Sequence, residues 1–125
     1  MVQVRSYSVE VEEVHSGDDI VVMVDLGVDK LFKRVRCRLT GVDTPSAYKA
    51  KVDSMAGTLR EEIKALISAG KSRVEVVAEG KGGWLVTLFV KSTKTQEEVN
   101  VNEMLKDRGF VYRGKIDGAI KPENS

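Results

Sequence analysis

Apolar residues recur with strand spacing through the first third of the chain. Residues 8–14 alternate valines with polar side chains, and residues 20–26 are rich in β-branched residues, so each stretch predicts a strand. A third strand is predicted over residues 31–39, where Val35, Cys37 and Leu39 share one face. The opposite face of this strand carries three arginines: Arg34, Arg36 and Arg38.

Helical spacing appears twice in the rest of the chain. Apolar residues recur every three or four positions over 55–67, which predicts a helix capped by Asp53 or Ser54 and stopped at Gly70. Residues 101–109 predict a shorter helix that ends at a glycine.

Two further strands lie between these helices. Residues 73–78 and 84–90 are rich in valine, leucine and aromatic residues, and the glycine-rich stretch 79–83 joins them as a hairpin. Residues 91–97 predict a polar connection. Because an open five-stranded sheet leaves two unprotected edges, the pattern predicts closure into a barrel.

The predicted fold class is therefore α+β and mainly β. It is a five-stranded OB-fold barrel with a helix between strands 3 and 4 and a short C-terminal helix. We expect a single domain over residues 1–114 and a flexible tail over residues 115–125.

Composition narrows the chemistry that such a domain can carry. The chain has 125 residues, of which 42% are hydrophobic and 31% are charged, and its formal net charge is +1, so a polyanion site must be a local patch. No membrane partner is implied, and we expect a monomer. One cysteine excludes an internal disulfide and fits a cytoplasmic location. With one histidine, the available chemistry is that of carboxylates and guanidinium groups.

The candidate residues also have ordinary structural interpretations. Asp18 lies in a polar turn between the first two strands, where we expect exposed carboxylates, and Asp43 lies in a second turn. The arginine face of the third strand is typical of a solvated surface paired with acids of a neighbouring strand. Cys37 alternates onto the apolar face, which indicates a buried thiol, and Trp84 at the start of a strand indicates core packing.

Three segments together resemble the staphylococcal-nuclease-like (thermonuclease) family across residues 9–112. The first is VHSGDDIV at 14–21, which resembles the family's Gly-Asp turn between two strands. The second is RLTGVDTP at 38–45, an arginine five residues ahead of Asp-Thr-Pro at a strand end. The third is VNEML at 101–105, which with Gly109 resembles the family's Asn-initiated helix.

The resemblance implies a calcium-dependent phosphodiesterase site. Asp18 and Asp43 occupy the two metal-ligand positions, with the carbonyl of Thr44 as a further ligand, and calcium prefers such oxygen ligands. Arg38 occupies the position of the first arginine, which clamps the phosphate. A metal ion and a fixed guanidinium would stabilise the negative charge of the pentavalent phosphorane.

The sequence departs from this family pattern at three positions. Ser46 stands where the family has its catalytic glutamate, and loss of a general base costs about 10²–10⁴-fold in rate. Gly83 stands at the position of the second arginine, and Lys81 nearby lacks the bidentate guanidinium fork. Asp19 replaces a threonine after the turn aspartate.

Two interpretations of the function follow from this resemblance. In the first, the chain is a degenerate nuclease-like domain with weak or no hydrolysis that binds single-stranded DNA or RNA, or a partner protein. Phosphate contacts would then come from Arg34, Arg36, Arg38 and Lys81, with an affinity that falls as salt rises.

The alternative interpretation is an active calcium-dependent nuclease, a phosphodiesterase using Asp18, Asp43 and Arg38. Its attacking water would be oriented by one of several side chains: Ser46, Asp19, Asp53 or Glu61. A third interpretation keeps the barrel as a protein-interaction domain with no role in nucleic-acid binding.

Overall fold

The computed structural model of the protein describes residues 5–29, 31–44 and 55–112. Over these residues the chain forms six strands and two helices. In chain order they are β1 (Arg5–Ser16), β2 (Asp19–Asp25), β3 (Phe32–Leu39), α1 (Met55–Ser68), β4 (Gly70–Gly80), β5 (Gly83–Ser92), β6 (Glu98–Asn100) and α2 (Val101–Asp107).

The strands close into a five-stranded barrel. The sheet runs in the order β3-β2-β1-β4-β5-β6, and a parallel pairing of β3 with β5 brings its two sides together. Strand β1 pairs with two neighbouring strands, its first half with β4 and its second half with β2. This topology, with α1 between β3 and β4 and α2 near the C-terminal end, confirms the predicted mainly-β OB-fold.

The inward face of the barrel is apolar, and α1 closes part of it. Ile20, Val22 and Val24 of β2 are buried, as are alternate residues of β5 from Trp84 to Val90. Leu59 and Ile63 of α1 belong to the same cluster. Full burial of one such side chain contributes about 1.5–3 kcal/mol.

The second helix is held to the barrel by a buried amide. Asn100 caps α2 by accepting a hydrogen bond from the backbone N–H of Glu103 at 3.0 Å. The side chain of Asn102 donates to the carbonyls of Thr40 and Val86 and accepts from the N–H of Leu88, at 2.9–3.0 Å. Its donors and acceptor are therefore occupied in fixing α2 against β5 and the end of β3.

Several predicted boundaries were wrong. The fourth strand, predicted over 73–78, runs over Gly70–Gly80, so that only residues 81 and 82 separate it from β5. The first strand begins at Arg5 rather than residue 8 and continues to Ser16, because pairing with β4 and β2 extends it beyond its alternating stretch. The predicted polar connection 91–97 leads directly into β6, which pairs with Phe89, Val90 and Lys91 of β5. The expected tail 115–125, and the expected helix cap at Asp53 or Ser54, lie outside the described residues.

Neither α1 nor α2 combines the length and the apolar character needed to cross a bilayer, and no other helix occurs among the residues described.

Candidate functional site

The turn between β1 and β2 lies against the end of β3. Ser16 pairs with Asp19, so Gly17 and Asp18 form the turn itself. The backbone carbonyl of Asp18 accepts a hydrogen bond from the N–H of Leu39 at 2.9 Å. A methyl group on Gly17 would lie 2.9 Å from the Leu59 side chain and 3.0 Å from that of Thr44. The turn therefore packs closely beneath α1, and an added methyl group would require the side chains of Leu59 and Thr44 to shift.

The carboxylate of Asp18 is buried and surrounded by donors. Only 3% of the residue is exposed. One carboxylate oxygen accepts from the hydroxyls of Ser16 at 3.0 Å and Thr44 at 2.9 Å, and the other accepts from Arg38 Nη2 at 3.2 Å. The structure thus brings together three of the residues that sequence analysis selected: Asp18, Arg38 and Thr44.

Asp19 is the second buried carboxylate of the turn. Arg36 binds it through two parallel hydrogen bonds, Nε to Oδ1 at 3.0 Å and Nη2 to Oδ2 at 2.6 Å. Burial works to raise the pKa of Asp19, but the hydrogen bonds and charge of Arg36, aided by the charge of Arg38, outweigh burial and lower it. The expectation that these carboxylates are exposed was wrong, since both aspartates are buried. The turn packs against Leu59 of α1 and accepts a hydrogen bond from Leu39 of β3.

The third arginine of the row is also paired. Arg34 Nε donates to Glu12 at 2.9 Å, and its Nη2 donates to Glu13. The prediction that Arg34, Arg36 and Arg38 share the outer face of β3 is confirmed, since all three are exposed and alternate with the buried residues Val35, Cys37 and Leu39. Each of these guanidinium groups nevertheless has a carboxylate partner on β1, in the turn that follows it or at the start of β2.

Asp43 differs from Asp18 in its surroundings. It is exposed, and its backbone N–H donates to the carbonyl of Phe110 at 3.1 Å. Among the residues described, its carboxylate forms no ion pair. Within the same residues, no group of three or more acidic, histidine or cysteine side chains is arranged to hold a metal ion.

The Asp18 carboxylate does not fit calcium well in this arrangement. Calcium takes six to eight oxygen ligands, while three of the roughly four acceptor positions on Asp18 already face protein donors. The described residues do not build a calcium site by themselves. Ser46, at the glutamate position of the resemblance, lies outside them.

The position assigned to a second arginine has no space for a side chain. Gly83 has a φ of +125°, and a Cβ built there would lie 2.1 Å from the backbone oxygen of Arg36. This close approach is where β5 joins β3 to close the barrel. Lys81 lies in the adjacent two-residue turn and is exposed.

Four other side chains are accounted for structurally. Cys37 is fully buried, and burial raises the pKa of its thiol to about 12, so the predicted structural role is confirmed. Trp84 is buried in the core as predicted, with its ring 5.6 Å from that of Tyr7. His15 is exposed beside Glu13. Glu61 pairs with Arg60 and Lys64 along α1.

Sequence reasoning missed the two hydroxyl groups that hold Asp18. The available signal was the spacing of Ser16 two residues before the aspartate, which is typical of a local side-chain turn. The contact of Thr44 with Asp18 spans 26 residues and has no local signature. No protein-family model and no curated protein matches this chain. The resemblance to the staphylococcal-nuclease-like family therefore rests on the three sequence segments described above.

Proposed function

We propose that this chain is a degenerate staphylococcal-nuclease-like domain that has lost hydrolysis and acts by binding a partner molecule. The topology of the barrel supports this proposal, as does the placement of the three segments. The Gly-Asp turn, the end of β3 and α2 are neighbours, since Asp18 contacts Arg38 and Thr44 while Asn102 binds the Thr40 carbonyl.

The proposed loss of hydrolysis rests on one observation, which is that the Asp18 carboxylate is already hydrogen-bonded by donors of the protein itself. A catalytic arginine must turn its guanidinium towards the phosphate, and a metal-ligating aspartate must turn its lone pairs towards the metal. In this structure Arg38 donates to Asp18, and two hydroxyls donate to the same carboxylate. These donors hold the Asp18 carboxylate in the turn, which supports the proposed loss of hydrolysis.

The surroundings of Gly83 support the same conclusion. A second guanidinium at this position would displace the backbone of β3, because even a Cβ would overlap the Arg36 carbonyl. Removal of one transition-state donor costs about 10²–10³-fold in kcat. The point charge of Lys81 does not reproduce a bidentate clamp.

The pairing of the arginine face favours a partner protein over nucleic acid. To contact phosphate, Arg34, Arg36 and Arg38 would have to leave the carboxylates that bind them, and those carboxylates would then repel the phosphate. Lys81 is the one candidate phosphate contact for which the described residues provide no acidic partner. We therefore expect single-stranded DNA or RNA to bind weakly, and with only a shallow dependence on salt because few phosphates are neutralised.

The second candidate function is an active calcium-dependent nuclease. The proximity of Arg38, Thr44 and Asp18 favours it, because the exposed Asp43 directly precedes Thr44. In that case Asp18, Asp43 and the Thr44 carbonyl would hold calcium, and Arg38 would bind the phosphate. Calcium would supply charge stabilisation at the phosphate oxygens.

Incubation of the protein with heat-denatured DNA, with calcium or with a chelator, separates the two functions. The degenerate domain predicts cleavage indistinguishable from a no-protein blank under both conditions. Calcium-dependent cleavage that is abolished by Asp43→Ala and by Arg38→Ala would establish the nuclease instead. Arg108→Ala is a matched control, because Arg108 is exposed and pairs with Glu62 away from the turn.

A further inference from the structure

Large apolar side chains are exposed at the hairpin between β2 and β3. Leu26 and Leu31 flank the loop and are joined by a backbone hydrogen bond of 3.2 Å. Phe32 begins β3 with 55% of the residue exposed, and Val28 at the tip is 58% exposed. A cluster of this kind on one loop differs from scattered surface apolar residues and marks an interaction surface.

The apolar cluster continues into a groove on the outer face of the barrel, which we call the hairpin groove. It has a volume of about 410 Å³, and its apolar lining residues are Val9, Met23 and Phe32. Glu10, Glu12 and Asp25 provide its acidic groups. Glu10 lies opposite Met23 in the pairing of β1 with β2, and Asp25 lies opposite Phe32 in the pairing of β2 with β3.

The charge of the hairpin groove is negative. Among the described residues that line it, none carries a basic side chain. The neighbouring Arg34 is bound to Glu12 and Glu13, whereas within the described part of the chain Glu10 takes part in no ion pair. Among the same described residues, the Asp25 carboxylate accepts the backbone N–H of Gly27 at 2.8 Å and forms no ion pair.

We propose that the hairpin groove binds an extended peptide segment of a partner protein in which a lysine or arginine stands two positions from an apolar residue. This inference rests on the binding function proposed above and identifies the chemistry of the ligand. Side chains two residues apart in an extended peptide share one face. One would pack on Met23 and Phe32, and the other would place its cation beside Glu10 and Asp25.

Charge complementarity selects this occupant over the alternatives. The carboxylates attract a cationic side chain and repel the phosphates of nucleic acid or of anionic lipid. The apolar surface of Phe32 and Met23 supplies contact area that a purely basic peptide would leave uncovered. A peptide that combines a cationic and an apolar side chain therefore complements both the charge and the apolar surface of the hairpin groove.

Panning of a random peptide library on the immobilised full chain tests the proposal. The expected consensus has Lys or Arg two positions from Leu, Ile or Phe.

Binding of the selected peptide, measured by fluorescence anisotropy, should weaken about tenfold, corresponding to about 1.4 kcal/mol, in Phe32→Ser and in Glu10→Lys. Val77→Ser and Glu97→Lys are the matched controls, since Val77 is 59% exposed and Glu97 is exposed, and neither lines the groove. Glu10→Lys should gain affinity for the peptide in which Glu replaces the basic residue.

Several results would overturn the proposal. One is the enrichment of acidic peptides. Another is a selected peptide that binds Phe32→Ser and Glu10→Lys as tightly as it binds the unmodified protein. A third is enrichment on the unmodified protein that is no greater than enrichment on those two variants. Binding of single-stranded oligonucleotides or of phosphatidylserine vesicles that is lost in Phe32→Ser would assign the groove to another ligand. The hydrolysis assay is independent of this experiment, so each proposal can fail alone.

Discussion

The buried carboxylate of Asp18 accepts a hydrogen bond from the exposed guanidinium of Arg38 at 3.2 Å. The same carboxylate also accepts from the hydroxyls of Ser16 and Thr44. This cluster connects the β1–β2 turn with the end of β3 and the segment after it. Its first role is therefore to hold the turn in place.

Replacement of Asp18 by asparagine should destabilise the fold. Asparagine removes the charge that Arg38 pairs with and directs an N–H group at one of the existing donors, which costs about 1–3 kcal/mol in the free energy of unfolding. Urea denaturation measures the loss. Asp43→Asn is the matched control and should change the free energy by less than about 0.5 kcal/mol. Equal stability of the two variants would contradict the structural role of Asp18.

Acid should weaken the contribution of Asp19 to stability. Although burial works to raise its pKa, Arg36 holds it below the ordinary value of 3.8, so the folded state keeps this carboxyl charged where the unfolded state binds a proton. The stabilisation is complete above the unfolded pKa and is lost as pH falls through the folded value. The difference in stability between the unmodified protein and Asp19→Asn should therefore shrink below about pH 3.8. A difference that stays constant from neutral to acidic pH would show that Arg36 does not act through this charge.

Gly83 and Gly82 should respond very differently to alanine. At Gly83 a Cβ would overlap the Arg36 carbonyl at a positive φ, whereas nothing lies within 4 Å of a Cβ at Gly82. We expect Gly83→Ala to lose about 3 kcal/mol or more, from backbone strain together with overpacking. Gly82→Ala should be close to neutral. Thermal unfolding of the two variants makes the comparison, and similar melting temperatures would mean that β5 does not approach β3 so closely.

The Cys37 thiol should be unreactive in the folded protein. It is buried, and burial raises its pKa to about 12, so almost no thiolate is present at mildly alkaline pH. Folded protein should therefore react slowly with a disulfide reagent, while protein unfolded in urea should release one equivalent from its single cysteine. Rapid labelling under folding conditions would place this residue at the surface.

The strands of the barrel could be predicted because the alternation of apolar and polar residues is visible within short stretches of sequence. Alternation in β3 places Val35, Cys37 and Leu39 inside and the arginines outside, and the structure has that pattern. The bounds of β1 could not be predicted, since residues such as Arg5 and Ser6 become strand residues only by pairing with β4.

Sequence analysis selected three residues that lie together, but it did not predict the contacts between them. The segments identified Asp18, Arg38 and Thr44, which do lie together. Their hydrogen bonds join residues 20 and 26 positions apart in the sequence, so no local pattern reports them. The same is true of the acids that pair with the arginine face, because a one-residue bulge in β1 decides where Glu12 and Glu13 point.

The melting temperature in millimolar calcium and in chelator tests the central claim most directly. A ligand that binds only the folded state stabilises it in proportion to the logarithm of its concentration. If Asp18 is satisfied by Arg38, Ser16 and Thr44, the unmodified protein should melt at the same temperature in both solutions. A rise with calcium concentration that disappears in Asp43→Ala would show that these residues form a metal site, which contradicts a purely structural role for the Asp18 carboxylate.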